Sequence, residues 1–161
     1  QHNRPAGCRL RGARPGRLCL CDWTASAHHV RVLAALGSCA VTAADARCLD
    51  SAAAELDQYF AGKLNAFSTE LSPVGSAFRQ SVWRMLGEVS YGSVMTYSAL
   101  ASMLGRPSAV RAVASAVAAN GISIFIPCHR IVSASGEVRY AGGADAKRYL
   151  LGLEQKNRRQ P

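Results

Sequence analysis

The 161-residue chain predicts an α/β fold: a small N-terminal α/β domain (sheet plus helix), then a mostly helical C-terminal domain with a helix-turn-helix of winged-helix type. Three observations predict it. "GRLCLCDW", Gly16 to Trp23, alternates with the two-residue period of a strand. Leu49, Ala53, Leu56 and Phe60 recur at three- and four-residue spacing, the period of an amphipathic helix. Further on, two short helical segments joined by "GRP" make a helix-turn-helix.

The elements follow in order. After the first strand a second short one is expected at Cys39 to Thr42, and the helix "LDSAAAELDQYFAGK" stops at Gly62. "ELSPVGS", Glu70 to Ser76, breaks regularity at Pro73 and Gly75, which sets the boundary between an N-terminal domain, 1–75, and a C-terminal one, 76–156. Ser76 can cap a helix whose apolar side is Phe78, Val82, Met85 and Leu86. "SYGSVMT" supplies a turn and a short extended piece. Thr96 can then cap a helix from Tyr97 to Leu104 that Gly105 ends. Pro107 opens the next, Ser108 to Ala119, with Val110, Val113, Ala114 and Val117 inward. "IFIPCHRIV", Ile124 to Val132, reads as the end of a buried strand that holds Cys128 at a pocket floor. After the turn "SASGEV" and the paired glycines of "RYAGG", Asp145 starts a last helix with Leu150, Leu151 and Glu154 on or near one side. Residues 157–161 form a basic tail.

An apolar fraction of 49% and a charged fraction of 18% exclude a disordered chain. No apolar run approaches the roughly 20 residues of a membrane span, so no membrane partner is expected. The first seventeen residues carry five arginines without the apolar core of a signal peptide. Five of the six cysteines crowd into the first third of the chain, which with no secretory signal points to reduced thiols in a cytoplasmic protein, nuclear if the source is eukaryotic. Cys19, Cys21, His28 and His29 have poor spacing for zinc, and neither metal nor cofactor is expected. The net charge is +9, and no acidic residue lies between Glu88 and Glu137 while Arg106, Arg111 and Arg130 do. Such a stretch tolerates a polyanion such as DNA close by; basic residues also simply keep a protein soluble.

The helix "SAVRAVASAVAAN" is a rod of small side chains, Ala112 and Ala114 among them, interrupted by one long arm, Arg111. It suits tight core packing, and it equally suits close approach to a DNA groove with Arg111 projecting. At Cys128 a thiol stands beside an imidazole. A thiol is a good nucleophile only as thiolate, and a His reached through a water can serve as base if a carboxylate orients its other nitrogen. Glu154 is a candidate orienter, and Asn120 can lie near the thiol. Each also has an ordinary structural reading: Asn120 as a helix C-cap, Glu154 as a solvated helix residue, His129 and Arg130 as surface neighbours.

"IPCHRIV", with "YGSVMTYSALASMLGRPSAVRAV", "AAN" and "YAGG…KRYLLGLE", resembles the O6-alkylguanine-DNA alkyltransferase family (methylated-DNA–protein-cysteine methyltransferases) from Leu56 to Glu154. The resemblance implies a suicide repair protein that takes an alkyl group, mainly methyl, from O6 of guanine, and O4 of thymine, in double-stranded DNA after base flipping. It implies Cys128 as acceptor, His129 as base through a water, Glu154 as its orienter and Asn120 as a brace for the Cys-His arrangement. Tyr97 would crowd the target phosphate and donate to the base. Arg111 would fill the gap in the duplex, and the small-residue helix, Ala112 and Ala114 included, would lie in the minor groove. Arg130 joins the DNA-binding set, and Tyr140, Ile131, Gly142 and Gly143 line the pocket. The protein would act as a monomer, with cooperative DNA binding left open. Departures from the family pattern are Gly121 for a Pro, Arg139 for a Gly and Ala141 for a Ser. They bear on rate and alkyl size. A cysteine hydrolase, which would turn over, and a helix-turn-helix regulator, which would need no nucleophile, are the competing classes.

Overall fold

The computed structural model describes residues 43–71, 73, 75–135, 140 and 142–158, with side chains from residue 50 onward. The expected N-terminal strands, Cys19, Cys21, His28, His29, Arg139 and Ala141 lie outside the described residues. The chain divides into two units, one ending at Val74 and one beginning at Gly75.

In the first unit α1 spans Ala43–Phe60. It starts six residues earlier than its apolar periodicity suggests, because "AADAR" is itself strongly helix-forming. The Gly62 N–H bonds the Tyr59 carbonyl and the Lys63 N–H the Gln58 carbonyl, while Gly62 takes φ 72°, a conformation cheap only without a Cβ. The buried stripe is Ala52, Leu56 and Tyr59, with Ala53 and Phe60 half-buried, so it is rotated from the expected one. Tyr59 sets the rotation, its ring centroid lying 5.4 Å from those of both Phe60 and Phe67. Glu55 binds the loop beyond α1 by accepting from the Ser68 and Thr69 N–H groups at 2.7 and 3.1 Å.

The second unit is helices around a minimal parallel sheet. Ser76 caps α2, Ala77–Gly87, by accepting from the Arg79 N–H. Val82, Trp83 and Leu86 of α2 are buried, and the Trp83 indole donates to the Ala116 carbonyl at 2.8 Å. The strands β1, Met95–Thr96, and β2, Ile131–Val132, pair in parallel, Met95 opposite Ile131. Thr96 caps α3, Tyr97–Met103, and the chain reverses at Gly105, φ 68°. Pro107–Ala109 forms a single 3₁₀ turn before α4, Val110–Ala118, in which Val113, Ala116 and Val117 are buried while Val110 and Ala114 are half-buried. The last helix, α5, runs from Ala144 to Arg158. It therefore includes the start of the expected tail: Arg158 donates to the Gly92 carbonyl and the Ser93 hydroxyl, and its charge suits a helix C-terminus.

One expectation is corrected. Cys128 does not end a strand: it opens a 3₁₀ turn, Cys128–Arg130, and the strand begins only at Ile131. The Asn120 side chain takes the Ile122 N–H and the Ile126 carbonyl, groups that a strand would have offered to a neighbour. The β structure described is limited to the pair β1 and β2 and an isolated bridge, Ser123 with Ile126, and no wing hairpin is seen among the described residues.

Candidate active site

Cys128 is buried at the start of its 3₁₀ turn, and its N–H donates to the Ile126 carbonyl at 2.8 Å. Asn120, where α4 gives way to the loop, uses its whole amide: Nδ2 donates to the Cys128 Sγ at 3.1 Å and to the Ile126 carbonyl at 2.9 Å, and Oδ1 accepts from the Ile122 N–H at 3.0 Å. The thiol and the loop in front of it are thus held by one side chain. Burial pushes the thiol up from its ordinary range, and hydrogen bonds from Asn120 and Ser123 and the Lys147 ammonium oppose that rise.

His129 is fully buried, with Nε2 2.8 Å from Glu154 Oε1. Glu154, fully buried on α5, also accepts from Arg130 Nε at 2.9 Å, Arg130 Nη2 at 3.0 Å and the Gly92 N–H at 2.9 Å. Burial pushes the Glu154 carboxyl up, but the bonds from His129, Arg130 and Gly92 outweigh it and bring it down to about 2. An ionised carboxylate only accepts, so the hydrogen of His129 sits on Nε2 and the lone pair on Nδ1. Among the described residues Nδ1 has no hydrogen-bond partner. Burial also pushes the imidazole down despite Glu154, so it is neutral and can take a proton.

Arg130 corrects an expectation. It does not face a nucleic acid: it is buried, forks onto Glu154, donates to the Val89 carbonyl at 2.6 Å and lies 5.6 Å from the Tyr91 ring centroid. A carboxylate in the interior needs a cation, and Arg130 is the one its turn delivers.

Ile131, one of the residues expected to line a pocket, directly follows the same turn. Ile131 is buried and its carbonyl accepts from Lys147 Nζ. Tyr140 is half-buried; burial first and the nearby Cys128 second push its phenol up. The Gly143 N–H closes a turn onto the Tyr140 carbonyl at φ 88°, and a Cβ on Gly142 would meet the Tyr140 ring at 2.9 Å. Tyr97, half-buried, stands at the first position of α3, while Arg111 and Ala112 are exposed on α4.

Lys147 and Ser123 escape sequence reasoning. Lys147, 2% exposed, stands two helical turns before Glu154 on α5, a spacing that puts both on one face and is the only signal for it. Ser123, inside an apolar run, offers none. No group of three or more His, Cys, Asp or Glu among the described residues is arranged to hold a metal, and no described helix is long and apolar enough to cross a membrane.

Comparison with known proteins places this geometry. The family described as "6-O-methylguanine DNA methyltransferase, DNA binding domain" matches residues 77–156. The methylated-DNA–protein-cysteine methyltransferase of Methanosarcina barkeri is 46% identical over 109 residues, 67% of this chain and 69% of the relative. That of Mycolicibacterium paratuberculosis is 43% identical over 112 residues, 69% of this chain and 68% of the relative. The crystal structure of Mycobacterium tuberculosis O6-methylguanine methyltransferase is similar, with TM-score 0.65 and 42% identity, covering 70% of this chain and 67% of that one. The M. tuberculosis OGT in complex with DNA matches with TM-score 0.64 and 42% identity over 66% of each chain. With a buried Cys–Asn and His–Glu–Arg arrangement and relatives of this identity and coverage, the chain belongs to the methylated-DNA–protein-cysteine methyltransferase family.

Proposed function

We propose that this chain repairs DNA directly, moving an alkyl group, mainly methyl, from O6 of guanine, and from O4 of thymine, onto Cys128. One observation carries the chemistry: Glu154, ionised by its bonds, fixes the His129 hydrogen on Nε2 and leaves Nδ1 a buried lone pair one residue from the thiol. Nδ1 takes the thiol proton through a water, and Asn120 keeps Sγ in place and donates to the growing thiolate. The Sγ–C bond forms as the C–O6 bond breaks, and the electron pair leaves on the base, where Tyr97 donates to spread the charge. A thioether has no easy hydrolysis, so each molecule reacts once.

A substituent at O6 is out of reach inside the stack, so the base flips out into the pocket lined by Tyr140, Ile131, Gly142 and Gly143. Arg111 stands exposed on α4 and is suited to filling the gap, and the exposed Ala112 and half-buried Ala114 let the helix approach the minor groove closely. The protein acts as a monomer in the cytoplasm. Incubation with an O6-methylguanine duplex followed by intact and peptide mass spectrometry tests this: one methyl per protein, on Cys128, with no further uptake, is expected. Cys128 still unmodified after prolonged incubation overturns it.

A further inference from the structure

Between α2 and β1 the chain makes a tight turn, with the Ser93 N–H on the Ser90 carbonyl at 3.1 Å and Gly92 at φ 68°. Gly92 is buried, and α5 grips both poles of its backbone. Its N–H donates to Glu154 Oε2 at 2.9 Å. Its carbonyl accepts from Arg158 Nη1 at 3.2 Å, and the same nitrogen donates to the Ser93 hydroxyl at 3.1 Å. Glu154 and Arg158 stand four residues apart on α5, so they share a face, and each meets the pole of opposite charge. Only glycine fits between them: a Cβ there would lie 2.9 Å from Arg158 Cδ and 3.1 Å from the Glu154 carbonyl oxygen.

Gly92 therefore joins His129 and Arg130 as a donor to the carboxylate that orients the base. Arg130 fastens the same stretch of chain from the other side, through the Val89 carbonyl just before the turn. We propose that Arg158 is a positioning residue for alkyl transfer: it fastens the turn 90–93 so that the Gly92 N–H stays on Glu154, and through Glu154 it fixes how tightly the His129 ring is held. It acts through Gly92 and Glu154 rather than on the reacting atoms.

A carboxylate shares its charge among its donors. When the Gly92 N–H drifts away, more of that charge falls to the His129 Nε2–H, and the ring holds a second proton to higher pH. Only the neutral ring can take the thiol proton, so loosening the turn withdraws the base on the acid side and leaves the rate at higher pH as it was. The charged groups facing the ring are Glu154 and Lys147 from α5 and Arg130 from its own turn, with the Cys128 thiol one residue before it. All of them remain when Arg158 is replaced.

The inference rests on the alkyl-transfer function, and its test separates the two. Single-turnover methyl uptake by the full chain from an O6-methylguanine duplex, followed against pH, gives the acid limb of the rate. Arg158→Ala should move that limb up by about half a pH unit, about threefold slower on the limb, with the high-pH rate kept within about twofold. Imidazole nitrogen NMR of the DNA-free protein should show the same upward shift in the His129 titration without using guanine, and the same spectra show that the variant is folded. A His129 titration that does not move in Arg158→Ala overturns the proposal, because an arginine that only supports the fold leaves it in place. A shift that about 0.5 M salt erases also overturns it, since that marks a distant charge acting through solvent rather than a turn held in place. Methyl uptake by the unmodified protein from the same duplex tests the alkyl-transfer function by itself.

Discussion

The interior beneath Cys128 and the outer face of α4 belong to the same unit and carry the same kind of residue, arginine, to opposite ends. Arg130 is buried with three hydrogen bonds to Glu154 and Val89, whereas Arg111 projects from an exposed surface of alanines. A buried ion pair gives little net stability, but losing one partner strands the other charge in a poor solvent. An exposed arginine holds nothing in the fold. The interior is thus where a substitution unfolds the protein, and the outer face is where a substitution changes only what the protein grips.

The largest test of that contrast is Glu154→Gln. It removes the negative charge shared by Arg130, His129 and Gly92, and about 3–5 kcal/mol of unfolding free energy should go with it, read by denaturant titration. Domains of this size have little more than that to lose. A change below about 1 kcal/mol would mean that water already reaches the cluster, and the contrast would collapse.

Acid should show nearly the same loss without a mutation. Glu154 has its folded value lowered to about 2 from 4.5, so its stabilisation is complete above pH 4.5 and disappears as pH falls toward 2. A shift of that size corresponds to about 3 kcal/mol. His129 is also lowered, from 6.5, so the unfolded chain takes up its proton first and stability begins to fall below that pH. The two losses have the same sign. Unfolding free energy measured from pH 7 down should fall in two stages, and in Glu154→Gln the lower stage should be missing.

A middle-sized effect is expected where interior and surface meet. Arg158 donates to the Gly92 carbonyl and Ser93 hydroxyl from a part-exposed position, and so steadies the loop whose Gly92 N–H serves Glu154. Arg158→Ala should cost about 1 kcal/mol in the same titration. A cost as large as that of Glu154→Gln would show that the loop, not the ion pair, holds the cluster.

Features that depend on near neighbours along the chain are legible in the sequence. Ser76 and Thr96 as caps, Gly62 and Gly105 as reversals, and the breaks around Pro73 and Pro107 all act within a few residues. Features set by distant partners are not. Arg130 beside Cys128-His129 looks like a cation awaiting phosphate, because the carboxylate it pairs with is twenty-four residues away. "IFIP" looks like a strand because nothing in an apolar run announces that the Asn120 amide will take its backbone groups. Lys147 passes for a solvated helix residue until α5 is laid against the Cys128 turn. The helix spacing that points to Glu154 applies equally to Lys147, but a lysine is ordinarily exposed, and the pattern alone gives no reason to bury it.

The smallest effect on folding is also the sharpest discriminator. Arg111→Ala on the exposed face of α4 should leave unfolding free energy within about 0.5 kcal/mol of the parent, since nothing buried depends on it. If the side chain enters the duplex, the same variant should keep its rate with free O6-methylguanine and lose most of it with an O6-methylguanine duplex. A phosphate contact makes a different prediction: weaker binding to every duplex alike and a salt slope reduced by about one unit, with the rate recovering at saturating DNA. Duplex titrations at two salt concentrations, paired with single-turnover rates, tell these apart. Equal loss on the free base and the duplex would mean that Arg111 reaches into the interior after all, and that the two arginines are less different than their burial suggests.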